Sequence, residues 1–362
     1  MKISFVVGNP ARGGGERVQN LLIDEFFSKG HEIILYTWET IWEEYKSRVP
    51  YTVNILKKAP IGISGKLLAF KELKECLKDD FPDCLIVFSL ELAEIAVFSA
   101  HVNNISIILT ERCDPYVLPK SLVHRMLRNI AFSLSDGVVF QTEEVRNFFN
   151  KRIQRKSIVI QNPIIDDNLP NIVYSDVLKE IVAVGRLSNE KNYEMLIRAY
   201  AAVYDKISDY KLRIYGSGPD YEYLYNLVDQ LDLKSKVFLM GNVDRVVDHI
   251  CKSDIFVMSS DHEGMPNALI EAMAVGLSCI STDVRSGGAK ALISHGYNGL
   301  LVPVGNQHAL ENAILELATN RTLASQVKRN ARLIRITNAK ERILPIWLDF
   351  VSSCIHRTAH GK

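Results

Sequence analysis

The chain carries no surplus of either charge: 43 lysines and arginines stand against 42 aspartates and glutamates. A dedicated nucleic-acid binder shows a basic bias, so no nucleic-acid partner is expected. No apolar run approaches the ~18 residues that suggest a membrane span. The first apolar run, Ile3-Ser4-Phe5-Val6-Val7, is broken at once by Gly8-Asn9-Pro10, too soon for a signal peptide. The six cysteines (76, 84, 113, 251, 279, 354) are scattered without a CxxC pair. That spacing supports neither a disulfide frame nor a zinc site, and free thiols point to a reducing compartment, with the cytoplasm as the expected location. There is no Asp-x-Asp, no G-x-G-x-x-G and no low-complexity tract.

What is present is a chain of 362 residues with 47% hydrophobic content, enough for two domains with full cores. Short apolar runs alternate with helical patterns. Strands are expected at 3–7, 31–37, 52–56, 84–88, 105–110, 137–140 and 157–160, with helices at 15–28, 66–78, 90–101, 119–134 and 142–150. A polar, turn-rich stretch from Ile164 to Tyr174 reads as a linker. The alternation then restarts, with strands at 180–184, 211–215, 236–240, 254–258 and 278–282. Helices are expected at 192–206, 220–231, 245–252, 266–276, 287–294 and 306–318, with more helix beyond. Repeated strand–helix units imply parallel sheets covered on both faces, so the fold class is α/β with two doubly wound domains. The expected domains are 1–170 and 171–342, with a C-terminal helix, about 343–362, packing back onto the first. Ligands of such sheets bind at the carboxyl ends of the strands.

The most informative stretch is Ser259-Ser260-Asp261-His262-Glu263-Gly264-Met265-Pro266-Asn267-Ala268-Leu269-Ile270-Glu271-Ala272. Pro266 suits the first turn of a helix, and the residue before it is pushed toward an extended conformation. The amides of Asn267 and Ala268 would then open a helix and offer an anion site. Glu271 lies one turn on, and helical side chains lean toward the N-terminus, so it can reach back to the same spot. Its neighbours are apolar, and a carboxylate among them needs a partner. The stretch alone also fits a core helix with one solvent-facing glutamate. The sharper reading is two carboxylates, Glu263 and Glu271, gripping a hydroxyl-rich ligand whose phosphates meet the helix start.

Three further loops follow expected strands. Gly13-Gly14-Gly15 after the first strand lets backbone approach a ligand, or is a flexible turn. Arg186 and Lys191 flank Leu187-Ser188-Asn189-Glu190 beyond the strand Ile181–Val184. Two cations at that edge suit a diphosphate, one as a fork and one as a point charge; a solvated loop with a Glu190–Lys191 pair is the alternative. Gly216-Ser217-Gly218-Pro219 after Leu212–Tyr215 reads first as a tight strand-to-helix turn.

Taken together, Arg186 with Lys191, Gly216-Ser217-Gly218-Pro219, and Glu263 with Glu271 resemble the donor-site signature of family 4 glycosyltransferases, retaining enzymes of the GT-B fold. The resemblance covers nearly the whole chain. It implies two Rossmann-like domains facing across a cleft, with the nucleotide sugar held by the C-terminal domain and the acceptor by the N-terminal one. Arg186 and Lys191 would hold the diphosphate and offset charge on the leaving group. Glu271 would accept hydrogen bonds from ribose hydroxyls, and Glu263 would contact the donor sugar. Backbone of Gly264, Met265, Pro266, Asn267 and Ala268 would surround sugar and phosphate. Gly14 and Gly15 would close over the phosphates, Gly216 would line the donor loop, and backbone from Gly241 to Val243 would meet the base. The absence of Asp-x-Asp fits a metal-independent site with no cofactor, the nucleotide sugar being a co-substrate.

One departure stands out. Many family members carry a histidine after the strand that here reads Ile107-Ile108-Leu109; this chain has Thr110-Glu111-Arg112-Cys113-Asp114-Pro115. That stretch is similar to a Ser-Glu-Arg-Asn branch of bacterial surface-polysaccharide transferases, such as those of O-antigen, lipopolysaccharide or capsule. Glu111, as a catalytic group, or Arg112, as an acceptor contact, would face the sugar or acceptor; a local Glu111–Arg112 ion pair is the alternative. From Pro119 to Ser135 the pattern is amphipathic and basic, with Lys120, Arg125 and Arg128 beside Leu122, Val123, Met126, Leu127, Ile130 and Phe132. Lys120 and Arg125 are acceptor-binding candidates. The 57–66 stretch, expected as a loop, adds further basic and apolar residues. Such surfaces suit an anionic membrane or a lipid diphosphate, or are an ordinary solvated helix face. The resemblance thus implies transfer from a nucleotide sugar, UDP favoured, to a polyprenyl-diphosphate-linked glycan by front-face attack, in the cytoplasm or on the inner face of its membrane. A GT-B-fold nucleotide-sugar epimerase or hydrolase, or a catalytically silent GT-B binding module, is the competing expectation.

Overall fold

A computed structural model of the protein describes residues 1–7, 14–38, 50–57, 61–165, 169–170 and 178–360. The chain divides into two compact units, one of Met1–Ile165 with Lys340–Lys362 and the other of Asp166–Ala339. These divisions fall a few residues ahead of the expected 170/171 and 342/343 boundaries. The linker expected from Ile164 to Tyr174 lies mostly outside the described residues.

The first unit holds seven strands: β1 (Lys2–Val6), β2 (Glu32–Thr37), β3 (Thr52–Ile55), β4 (Cys84–Val87), β5 (Ser106–Thr110), β6 (Gly137–Phe140) and β7 (Ser157–Val159). They pair in the order β3-β2-β1-β4-β5-β6-β7, all parallel. The central strands are buried along their whole length, as a sheet covered on both faces requires. The helix Lys340–His360 packs on this unit: Trp347 stacks on Phe88 with centroids 5.7 Å apart. Gly137 opens β6 because a Cβ there would lie 2.6 Å from Cys354 Sγ and 2.9 Å from Phe350 on that helix.

The second unit holds six strands: β8 (Glu180–Val184), β9 (Lys211–Tyr215), β10 (Val237–Gly241), β11 (Ile255–Met258), β12 (Ser278–Thr282) and β13 (Leu300–Val302). They run parallel in the order β10-β9-β8-β11-β12-β13. Successive strands add outward from β8 through β10, then the order jumps to β11 and adds the other way. The switch point between β8 and β11 is where such a sheet opens a crevice for a ligand. The β8 and β11 residues Ile181, Ala183, Ile255 and Val257 are fully or almost fully buried in the core of this unit. Both sheets match the doubly wound expectation.

Four local expectations need correction. Residues 287–294 form turns, not a helix. Gly287 sits at φ +75°, and a Cβ on Gly288 would lie 1.9 Å from Gly264 O, so this stretch serves a close backbone approach instead. The strand β13 was not anticipated, because Leu300-Leu301-Val302 is too short to show a period. The helix over 62–80 starts inside the 57–66 stretch expected as a loop, and Lys66 is paired to Glu94 at 3.2 Å. The helix expected over 142–150 runs from Glu143 to Phe148, and a second, unexpected helix, Lys151–Arg155, follows it, capped by the Asn150 side chain accepting from Ile153 N.

Candidate active site

The carboxyl ends of β8 and β11 are held together by a network that centres on Lys191. Its ammonium pairs with Glu263 Oε1, and the same oxygen accepts from Ser260 Oγ at 2.8 Å. Ser259 Oγ donates to the carbonyl of Lys191 at 2.8 Å. Asp261 N donates to the carbonyl of Glu190 at 2.9 Å, and Asn192 Nδ2 donates to Asp261 Oδ1 at 2.9 Å. Asn192 adopts φ +47°, a left-handed conformation that asparagine tolerates, and caps the helix Tyr193–Val203 through Met195 N. The loop after β8 and the loop after β11 are therefore one built object. Arg186 stands exposed at the start of the first loop.

Glycine closes the adjoining side. A Cβ on Gly216 would fall 1.9 Å from Gly185 O, and one on Gly218 would fall 2.1 Å from Leu187 O. Leu187 N donates to Ser217 O and Asp220 N to Leu187 O, so the Gly-Ser-Gly turn is laid against the Arg186–Ser188 backbone. Gly216 N also donates to Gly241 O, and Asn242 Nδ2 to Ser217 Oγ at 2.8 Å, which brings the loop leading to Val243 alongside. The close approach rather than a simple turn is what these glycines permit.

Beyond Glu263 the chain passes Gly264, Met265 and Pro266 into the helix Asn267–Val275. Pro266 takes the capping position in an extended conformation, one residue ahead of its expected place in the first turn. Ser286 Oγ donates to the carbonyl of Glu263 at 2.5 Å and fixes this loop from the β12 side. Glu271 is 3% exposed, within a helix otherwise buried from Leu269 to Val275. The solvent-facing alternative for Glu271 is thereby excluded. The structure thus brings together Arg186, Lys191, Gly216, Val243, Glu263 to Ala268 and Glu271 in one unit. No role was anticipated for Ser260, Asn192 or Ser286; Ser260 lies within the quoted stretch and Asn192 follows Lys191, whereas Ser286 lay just ahead of a segment expected as helix.

The remaining candidates lie in the first unit. Gly14 and Gly15 open the helix Gly14–Ser28; Gly13 is outside the described residues. Glu111 does not pair with Arg112. It is 1% exposed and faces Arg128 at 3.5 Å, which also donates to Leu118 O at 3.0 Å and lies over the rings of Phe148 and Phe149. Burial pushes the Glu111 carboxyl up to about 7 against the pull of Arg128. Its Oε1 accepts from Cys113 N at 3.2 Å, which braces the loop that follows. Arg112 points elsewhere: it donates to Asn162 Oδ1 at 2.7 Å, an oxygen shared with Gln141 Nε2, and covers the Phe88 ring at 5.0 Å. Burial lowers the Arg112 pKa to about 10. Arg125 spends its guanidinium on the carbonyls of Pro119, Tyr116 and Val117, clamping the 116–119 turn. Lys120 is exposed. On the helix Leu122–Leu134 the expected pattern is inverted in part: Arg128 and Phe132 are buried, while Leu122, Val123, Met126, Ile130 and Leu134 face solvent.

Two doubly wound units, one carrying a cation–carboxylate crevice at its sheet switch point, have the architecture of the GT-B fold. The profile of the family described as Glycosyl transferases group 1 matches residues 174–334 of the chain. A glycosyltransferase of Haemophilus influenzae is 28% identical over 96% of this chain and 98% of its own length. A Campylobacter jejuni protein is 26% identical over 97% of this chain and 98% of its own; its name is GalNAc-alpha-(1->4)-GalNAc-alpha-(1->3)-diNAcBac-PP-undecaprenol alpha-1,4-N-acetyl-D-galactosaminyltransferase. Among solved structures, HepE of Anabaena in complex with UDP matches with a TM-score of 0.82 at 18% identity, over 98% of this chain and all (100%) of its own. That last likeness is one of fold.

Proposed function

We propose that the protein is a retaining, metal-independent glycosyltransferase that moves a sugar from a UDP-sugar to a hydroxyl of a polyprenyl-diphosphate-linked glycan, in surface polysaccharide synthesis. The observation that carries this reading is the Lys191–Glu263 pair in the β8/β11 crevice, with Glu271 buried on the next helix. A diphosphate entering the crevice offers Lys191 a stronger anion than one carboxylate. Glu263 is then released to a sugar hydroxyl, with Arg186 free to fold onto the phosphates as a fork. Charge growing on the leaving diphosphate is met by these two cations, which supplies the stabilisation a divalent ion would otherwise give. In front-face attack the acceptor hydroxyl passes its proton to the departing phosphate oxygen, so no side-chain base is required. UDP is favoured by the UDP named with the Anabaena structure, and a lipid-linked acceptor by the name of the Campylobacter relative.

Among the described residues no helix is long and apolar enough to cross a membrane. Leu122 is 79% exposed and Val123 59%, beside Lys120, which suits shallow contact with an anionic bilayer on its cytoplasmic side. The test of the donor assignment is thermal unfolding against UDP-, GDP-, ADP- and TDP-sugars, with Glu271→Ala as control. Binding to the native state raises the melting temperature by mass action. The expected result is a shift with UDP-sugars that Glu271→Ala abolishes. A shift confined to another nucleotide, or one that survives in the variant, would overturn the assignment.

A further inference from the structure

The sheet edge that carries the candidate donor crevice does not end there. One step further along the strand order, the carboxyl ends of β11, β12 and β13 line a solvent-open cavity of about 630 Å³. Its wall and floor are Asp261, Asp283, Arg285 and the run Leu301 to Val304. The volume lies in the range of small-molecule sites. Its chemistry is specific. Two carboxylates accept hydrogen bonds, a guanidinium donates up to five, and the aliphatic faces of Pro303 and Val304 give an apolar floor. That combination fits a polyol ring, which offers hydroxyls at its rim and C–H groups on its face.

The cavity is rigidly coupled to the crevice. Asp261 is held by Asn192 and by the Glu190 carbonyl, two residues ahead of Glu263. Asp283 N donates to Val302 O at 2.8 Å, and Thr282 Oγ1 donates to the carbonyl of Ser260 at 2.5 Å, which joins all three strand ends. Arg285 precedes Ser286, the residue that fixes the Glu263 carbonyl. In the transferase reading every part of a nucleotide sugar would already have a partner in the crevice: base at Gly241 to Val243, ribose at Glu271, diphosphate at Arg186 and Lys191, sugar at Glu263. The neighbouring cavity is left for a second carbohydrate.

We infer that the Asp261–Asp283–Arg285 cavity is a subsite on the nucleotide-sugar unit for a sugar ring of the acceptor glycan. This rests on the transferase reading above and adds a second acceptor contact, on the donor unit itself. Saturation-transfer NMR with the methyl α-glycosides of glucose, galactose, N-acetylglucosamine and N-acetylgalactosamine tests it, in the presence of UDP. At least one glycoside is expected to receive saturation from the wild-type protein. Asp283→Asn and Arg285→Ala should each weaken that glycoside about tenfold, the equivalent of one lost charge-assisted hydrogen bond. Both side chains are exposed, so the melting temperature and its shift with UDP should stay at wild-type values. No saturation of any of the four glycosides, or equal saturation in both variants, would overturn the subsite. Absence of a UDP shift in the wild type would instead count against the donor reading, and it is read independently of the glycosides.

Discussion

Each unit sets a glutamate against a cation just beyond a strand end, and the two pairs differ in one property. The side chains of Lys191 and Glu263 are 23% and 13% exposed, whereas those of Arg128 and Glu111 are 3% and 0% exposed. A partly exposed pair can exchange its partner for a ligand, because water and the ligand can reach both charges. A buried pair cannot, since separating it leaves a charge without solvent. The same chemical motif is therefore open to a ligand in one unit and closed to it in the other. Sequence alone does not distinguish them, because burial is a property of the packed chain.

The largest effect that separates the two should come from Lys191→Ala. Turnover is expected to fall about 10²–10³-fold, as when one preorganised charge-stabilising donor is removed, with little change in melting temperature. Near-normal turnover would place Lys191 with the structural pairs. The counterpart in the first unit is Arg128→Met, which keeps much of the contact with Phe148 and Phe149 but strands Glu111. Stability should drop by about 3 kcal/mol in urea unfolding, with the UDP-induced melting shift intact. A smaller loss at pH 5 than at pH 8 is expected, because the stranded carboxyl is neutral at the lower pH. A variant that unfolds normally but no longer binds UDP would break the comparison.

Much of the fold, and the crevice that Lys191 and Glu263 line, was legible. The strand and helix periods, and glycines after strand ends, are local signals, and Arg186, Lys191, Glu263 and Glu271 sit where those signals end. What was not legible depends on long-range contact. Gly288 serves a close approach to Gly264 that its own neighbours do not announce, so the 287–294 segment reads as helix. Arg128 lies on an amphipathic helix and reads as solvated, yet its partner Glu111 is 17 positions away. Five apolar residues of the same helix face solvent, Leu122 the most exposed at 79%, and no periodicity tells which side of a helix meets the core. The Asp283–Arg285 cavity was equally hidden, because β13 is too short to be expected and its loop supplies the floor.

The finest test of the comparison is pH dependence, because burial raises the proton affinity of Glu111 in the Arg128–Glu111 pair. Glu111 moves from an ordinary 4.5 to about 7 in the folded protein. The native state then holds a proton that the unfolded chain has released, over the window between those values. Its contribution to stability is full below about pH 4.5, declines as pH rises and is gone above about 7. The slope from this one group is at most about 1.4 kcal/mol per pH unit. Unfolding of the wild type and of Glu111→Gln, measured from pH 4 to 8, should converge or diverge only within that window. The wild type should lose stability relative to the variant as pH rises, and the difference should level off near pH 8. Parallel curves would mean that Glu111 stays ionised throughout. The buried pair would then be a permanent salt bridge rather than a carboxyl held near its titration point, and Arg128 rather than burial would dominate the first unit's loop.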